Sequence, residues 1–167
     1  MAETVTLQYD VDLRPLIQKQ EGFASINAVP RLLHERTFTA GNGTGQINLL
    51  YHARHSIVTS GTSSIDLDST LSNIVGTLSA FTKVKALAIA NTSDKLSPTT
   101  AAAITVTGDW ITTIFGASSS WPLDAGGMIT WMHKGGQTVT ASSGDVITLT
   151  ETGTATAQVD VLIAGIS

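Results

Sequence analysis

The chain has 167 residues and a mass of 17.4 kDa, the size of one compact domain, which excludes a large multidomain enzyme. Threonine (25) and serine (16) together supply 41 side chains while charged residues make up only 13%, about half of the ~25% usual in globular domains; with 42% hydrophobic residues there is apolar material for a core and not the charge excess of a disordered chain. A formal net charge of −4 with a pI near 5.4 excludes the basic footprint of a dedicated nucleic-acid binder, and the absence of cysteine excludes disulfides, thiolate metal sites and a cysteine nucleophile.

The start, MAETVTLQYD, carries acids and no apolar run of the kind a signal peptide or membrane span needs, so a soluble protein with no membrane partner is expected. Residues 4–9 alternate as a short strand does. From there to about residue 32 no sustained alternation follows, and Pro15 interrupts the uneven apolar groups of residues 13–20. Residues 1–40 therefore read as an N-terminal arm or extension that orders on a partner, the other reading being strand-plus-loop material of the same domain, and 41–167 as a β-sandwich domain.

Past the arm, Gly41-Asn42-Gly43-Thr44-Gly45 reads as a hairpin turn. Strands are expected at 45–52 and 56–59, and in 63–68 Ile65 and Leu67 alternate with Asp66 and Asp68. The run 69–76 reads as a short helix, with Ser69 as N-cap and Gly76 just past its end. Then come the plainest strands, at 84–91, 104–108, 128–133, 145–151 and 158–165. Within them Ile147 and Leu149 oppose Val146, Thr148 and Thr150, and Val159, Val161 and Ile163 oppose Asp160 and Leu162. Turns are expected at 121–127, at Lys134-Gly135-Gly136-Gln137 and at 143–145. Short strands at this spacing, with no long helical pattern between them, predict an all-β, antiparallel sandwich or barrel.

The reactive side chains form no motif. His52 and His55 are three apart, which on a strand sends them to opposite faces and away from a shared metal. Asp66 and Asp68 share a face but read as solvated or capping groups rather than as an acid–base pair. Ser118-Ser119-Ser120 and Ser142-Ser143 sit in turns without a nucleophile-elbow pattern, and the glycine-rich pieces lack the Lys-Ser/Thr of a phosphate loop. No catalytic, metal or cofactor site is expected, and the chain does not read as an enzyme. Trp131, alternating within its strand, is expected in the core; Trp110 and Trp121, each beside a turn signal, are expected to be exposed or at an interface. Five of nine Lys/Arg fall in the first 55 residues, which makes Arg14, Lys19, Arg31 and Arg36 candidate partner-contacting residues together with Trp110 and Trp121. The uncharged Thr/Ser surface predicts association with copies of itself, as a dimer or trimer, or with a larger assembly.

The order of pieces from Gly41 to Gly165 resembles small virion structural proteins of tailed bacteriophages. The resemblance rests on Ser64-Ile65-Asp66-Leu67 ahead of FTKVKALAIAN at residues 81–91, followed by ITVTGDW, the Gly-Gly turn of WMHKGGQT and two closing strands. It implies a jelly-roll-like β-sandwich on a virion, as a decoration or cement protein bound to the major capsid protein on the outside of the head, otherwise as a head-fibre, head–tail or tail component. It implies location on the capsid surface, with the host cytoplasm as the place of assembly, and contact with the shell through an end segment or loop. Outside the resemblance, a carbohydrate-binding β-sandwich is the competing reading and would need Trp110 or Trp121 exposed beside polar groups.

Overall fold

The computed structural model describes residues 7–13, 17–21, 24–28, 32–73, 76–95 and 102–167. The chain opens with β1 (Leu7–Leu13), β2 (Ile17–Glu21), β3 (Ala24–Ala28) and β4 (Leu32–Ala40). Strand β1 pairs antiparallel with β4 and β2 with β3, so residues expected to lack sustained alternation are strands. The two-residue β5 (Gln46–Ile47) lies parallel to the end of β4, with Thr39 opposite Gln46. Residues 41–45 therefore do not make the expected hairpin turn; they loop the chain back to run alongside itself.

The body follows as β6 (Leu49–Ile57), β7 (Thr62–Asp66), β8 (Leu71–Asn73), β9 (Gly76–Leu78), β10 (Lys83–Asn91), β11 (Ile104–Thr107), α1 (Asp109–Phe115), β12 (Trp121–Leu123), β13 (Met128–Thr138), β14 (Val146–Glu151) and β15 (Ala157–Ile166). Eight of these strands form two four-stranded antiparallel sheets, ordered β13-β10-β15-β6 and β12-β11-β14-β7. The fold is all-β and sandwich-like, with one core fed from both sheets: Leu87, Ile89, Val161 and Ile163 from the first, Ile104 and Leu149 from the second. The alternation read in β14 and β15 is what places those side chains, since successive residues point to opposite faces. Burying such side chains contributes roughly 1.5–3 kcal/mol each.

Several expected elements differ. The strands expected at 45–52 and 56–59 are one strand, β6, preceded by the short β5. The helix expected at 69–76 is instead the hairpin β8–β9, with Leu71 opposite Leu78; Ile74 and Val75 lie outside the described residues. Thr, Ser and Asn are weak helix formers, and a two-turn helix repays its nucleation only by burying an apolar face, as α1 does with Trp110 and Ile111. The expected turn at Lys134-Gly135-Gly136-Gln137 lies inside β13, where the ladder to β10 jumps from Met132 to Gln137. The turn expected at 121–127 begins with β12 and reverses only after it.

The bulge opposite that jump has a visible cause. Val84 pairs with Gly165 and Ala86 with Ala164, so Lys85 is the extra residue of β10. A bulge re-aims a side chain, and here it buries Lys85 to 1% exposure with its ammonium donating to the carbonyls of Gly43 and Gln46, both at 2.6 Å. Gly165 makes the close approach possible: a Cβ there would lie 2.0 Å from the Lys83 carbonyl oxygen. A second, smaller core joins Phe38 of β4 and Ile47 of β5 to Ala86 and Ala164, with Leu7, Leu50 and Met132 against it. Phe38 of β4 and Leu7 of β1 thus cover part of the outer face of the β10–β15 sheet.

Candidate interaction sites

Trp110 lies in α1 with no exposed surface, contrary to the exposure expected from its neighbouring turn signal. Gly108 ends β11 and the chain turns into a helix whose Trp110 and Ile111 face the core. Asp109 holds the helix start by accepting the N–H groups of Asp145 and Val146, at 3.1 and 2.7 Å. The Trp110 indole N–H has no acceptor among the described residues, and its ring meets Trp131 edge-on, centroids 5.6 Å apart at 89°. A buried Trp110 cannot touch a partner and is a core residue.

Trp121 does reach the surface. It stands half-buried in β12, and Phe115, at the end of α1 and 42% exposed, meets it with ring centroids 4.0 Å apart at 69°. These two rings, Pro122, Ile129, Thr130 and Trp131 line an open groove of about 370 Å³. Trp131, expected in the core, packs against it while keeping part of its surface in the groove. His133 stacks on it at 6.2 Å and 25°. The groove runs between β12 and β13, each the last strand of its sheet. The signal that could have found it was the Phe115/Trp121/Trp131 set, but only the strand order brings the three together.

Among the basic candidates, Arg36 is described with its side chain: half-buried, it lines a polar groove of about 280 Å³ with Thr37, Gly45 and Lys134. Arg14 and Arg31 lie outside the described residues; Lys19 stands in β2, its side chain likewise outside them. Gly45 donates its N–H to the Lys134 carbonyl, and beneath the same loop the buried Lys85 holds Gly43 and Gln46. Desolvation, then the neighbouring Lys83, pulls the Lys85 ammonium below its ordinary pKa.

His52 and His55 sit on opposite faces of β6, as their spacing predicts: His52 is exposed, while His55 turns inward between Tyr51 and Ser63. The Tyr51 hydroxyl is 3.0 Å from His55 Nε2 and the Ser63 hydroxyl 2.9 Å from Nδ1. Burial lowers the imidazole pKa and raises that of the phenol, so both groups are neutral at pH 7. A serine and a histidine in contact invite comparison with a hydrolase, yet the third member here is a phenol, not the carboxylate that orients a catalytic imidazole. The chain of bonds joins β6 of one sheet to β7 of the other. Asp66 and Asp68 are exposed, in keeping with the solvated reading, and Asp66 accepts the Asp68 N–H at 3.0 Å in an Asx turn. Among the described residues, no three His, Asp or Glu come together as metal ligands, and no helix is long and apolar enough to cross a membrane.

Comparison of the chain with protein-family models, curated proteins and solved structures finds no significant match.

Proposed function

We propose that the protein is a structural component of a tailed-bacteriophage virion, a capsid decoration or cement protein built on a jelly-roll β-sandwich. The observation that carries this reading is the strand pairing. Counted along the chain, the eight sandwich strands are β6, β7, β10, β11, β12, β13, β14 and β15. The first pairs with the eighth, the second with the seventh, the third with the sixth and the fourth with the fifth. One long antiparallel ribbon rolled into two sheets pairs its strands in this way, and eight-stranded double-sheet jelly rolls recur in viral capsid and lectin domains. The resemblance of residues 41–165 to small phage virion proteins supports the same reading.

Attachment falls to the segment outside the roll. Its strands β1 and β4 rest on the β10–β15 face through Leu7 and Phe38, and Arg36 with Lys134 lines a groove suited to acidic side chains of the shell. A surface poor in charge, rich instead in Thr and Ser, supports self-association as a dimer or trimer.

The test is co-sedimentation of the purified chain with heads that lack it, at low and high salt. Saturable binding is expected. A truncation starting at Thr37, which retains Phe38 in its core contacts, is expected to bind at least tenfold more weakly. Replacing Arg14, Lys19, Arg31 and Arg36 together by Ser is expected to weaken binding and flatten its salt dependence. Failure of the full chain to bind heads at either salt overturns the reading. Light scattering of the free protein checks the oligomer, which a monomer at tens of micromolar would contradict.

A further inference from the structure

Nine lysines and arginines stand in the chain, and Arg36, Lys83, Lys85 and Lys134 meet at one corner, where β4, β10 and β13 approach the 41–45 loop. Arg36 and Lys134 line the polar groove of about 280 Å³ with Thr37 and Gly45. Lys85 lies beneath the same loop, its ammonium on the carbonyls of Gly43 and Gln46, with Lys83 as its charged neighbour. Arg54, by contrast, has its counter-charge, gripping Asp160 through two bonds of 2.6 and 2.8 Å. Among the described residues no carboxylate pairs with any of the other four.

Gathering like charges without an acid among them is unfavourable, and burying one of them more so. The fold nevertheless makes room. Strand β10 bulges at Lys85 and the ladder of β13 is broken opposite it. Gly136, at φ +78°, leaves space where a Cβ would come within 2.9 Å of the Lys85 stem. Bulges and positive φ collect where a fold re-aims side chains for use. Here they fix the loop on Lys85, and the loop in turn fixes Lys134: Gly45 donates its N–H to the Lys134 carbonyl at 3.0 Å, and a Cβ on Gly45 would stand 3.2 Å from the Lys134 Cε.

The donors decide the class of anion. A phosphate is cradled by several free backbone N–H groups, whereas the N–H groups of Gly41, Gly43, Gly45 and Gln46 are already bonded, to Ile47, Gln46, Lys134 and Gly43 in turn. Arg36 brings a guanidinium fork and Lys134 an ammonium, and a fork matches the two oxygens of a carboxylate.

We propose that the Arg36–Lys134 groove is a carboxylate site, with Arg36 as the bidentate clamp and Lys134 as the second cation. The inference deepens the attachment reading and rests on it only for the source of the carboxylate, an acidic side chain of the shell.

The site is tested first on the free protein. Glutarate, whose carboxylates copy an acidic side chain, is titrated into the full chain at constant ionic strength and followed by backbone amide shifts in nuclear magnetic resonance spectra. Saturable shifts at Gly45 and Lys134 are expected in the millimolar range, weakened at least tenfold in Arg36→Gln and in Lys134→Gln. Neither residue belongs to a core cluster, and Lys134→Gln, at an exposed position, keeps the test valid if Arg36→Gln does not fold. Shifts that fail to saturate, or that sodium chloride reproduces, overturn the site. Phosphate binding more tightly than glutarate overturns the carboxylate class. The double variant Arg36→Gln/Lys134→Gln is then sedimented with heads, where binding at least tenfold weaker than the parent's is expected. Equal binding by the double variant overturns the shell as the source. Failure of the parent itself to bind heads is the failure of the virion reading, and the glutarate titration then decides the site alone.

Discussion

The two open margins of the sandwich solve one problem in different ways. Along the β6–β7 margin the sheets are stitched by directional polar bonds: Tyr51 to His55 to Ser63, and the buried Glu151 carboxylate accepting the N–H groups of Ser60 at 2.8 Å and Gly153 at 2.7 Å. Along the β12–β13 margin they meet through aromatic contact, Trp131 on Trp110 and Phe115 on Trp121. Polar stitching satisfies its groups and leaves a finished surface. Aromatic closure rests on edge-on ring packing and leaves part of Phe115, Trp121 and Trp131 in an open groove.

The sharpest way to break that contrast is to remove what the aromatic margin stands on. Trp110→Ala deletes a fully buried indole and the perpendicular support of Trp131. Its expected cost is about 3–5 kcal/mol, read by urea unfolding. A loss below about 1 kcal/mol would mean that the groove does not rest on the core. On the stitched margin, Glu151→Ala strips two turn N–H groups of a charged acceptor; one such bond contributes about 1.5–3 kcal/mol, and because Ser60 is exposed and Gly153 half-buried water replaces part of the loss, which keeps the total within that range. The same unfolding measurement should place it below Trp110→Ala. Hydrogen exchange should report faster opening of Ser60 and Gly153 than of the β10–β15 ladder. Equal acceleration throughout would show that the carboxylate supports the whole fold rather than its margin.

Much of this body was legible in the sequence because its strands bury one face. Ile147 and Leu149 in β14, and Val159, Val161 and Ile163 in β15, point inward as their alternation requires. The opposed placement of His52 and His55 followed from the same period of two. Helix α1 was missed because DWITTIF is rich in Ile and Thr, which lose side-chain freedom in a helix; burial of Trp110 and Ile111 overrides that preference. Its apolar spacing at 110, 111, 114 and 115 was the available signal. Trp110 is buried although a turn signal adjoins it, since a turn signal marks where the chain bends and not which way an indole faces; Trp131 packs against the core with part of its surface in the groove. The two grooves were out of reach of local reading. Phe115, Trp121 and Trp131 meet only through strand order, and Arg36 meets Lys134 only because β13 bulges beside the 41–45 loop.

The smallest expected effect sharpens the comparison through pH. Burial holds the His55 imidazole below its ordinary pKa in the folded protein, whereas the unfolded chain takes up that proton near pH 6.5. The unfolded state therefore binds more protons in the window beneath 6.5, and stability falls with falling pH there. The contribution is fully present above about pH 6.5, is lost as pH drops through the lowered folded value, and levels off once both states are protonated. Urea midpoints measured between pH 8 and 4.5 should show this decline in the parent protein and a shallower one in His55→Gln. His52→Gln, on the opposite, exposed face of β6, leaves the Tyr51–His55–Ser63 bonds in place and is the comparison variant. The Trp121→Ala variant should keep the parent's slope, since the aromatic margin carries no titrating group among its lining residues. If the slope followed Trp121 rather than His55, the two margins would be coupled through the core, and the division between a polar-stitched edge and an aromatic edge would fail.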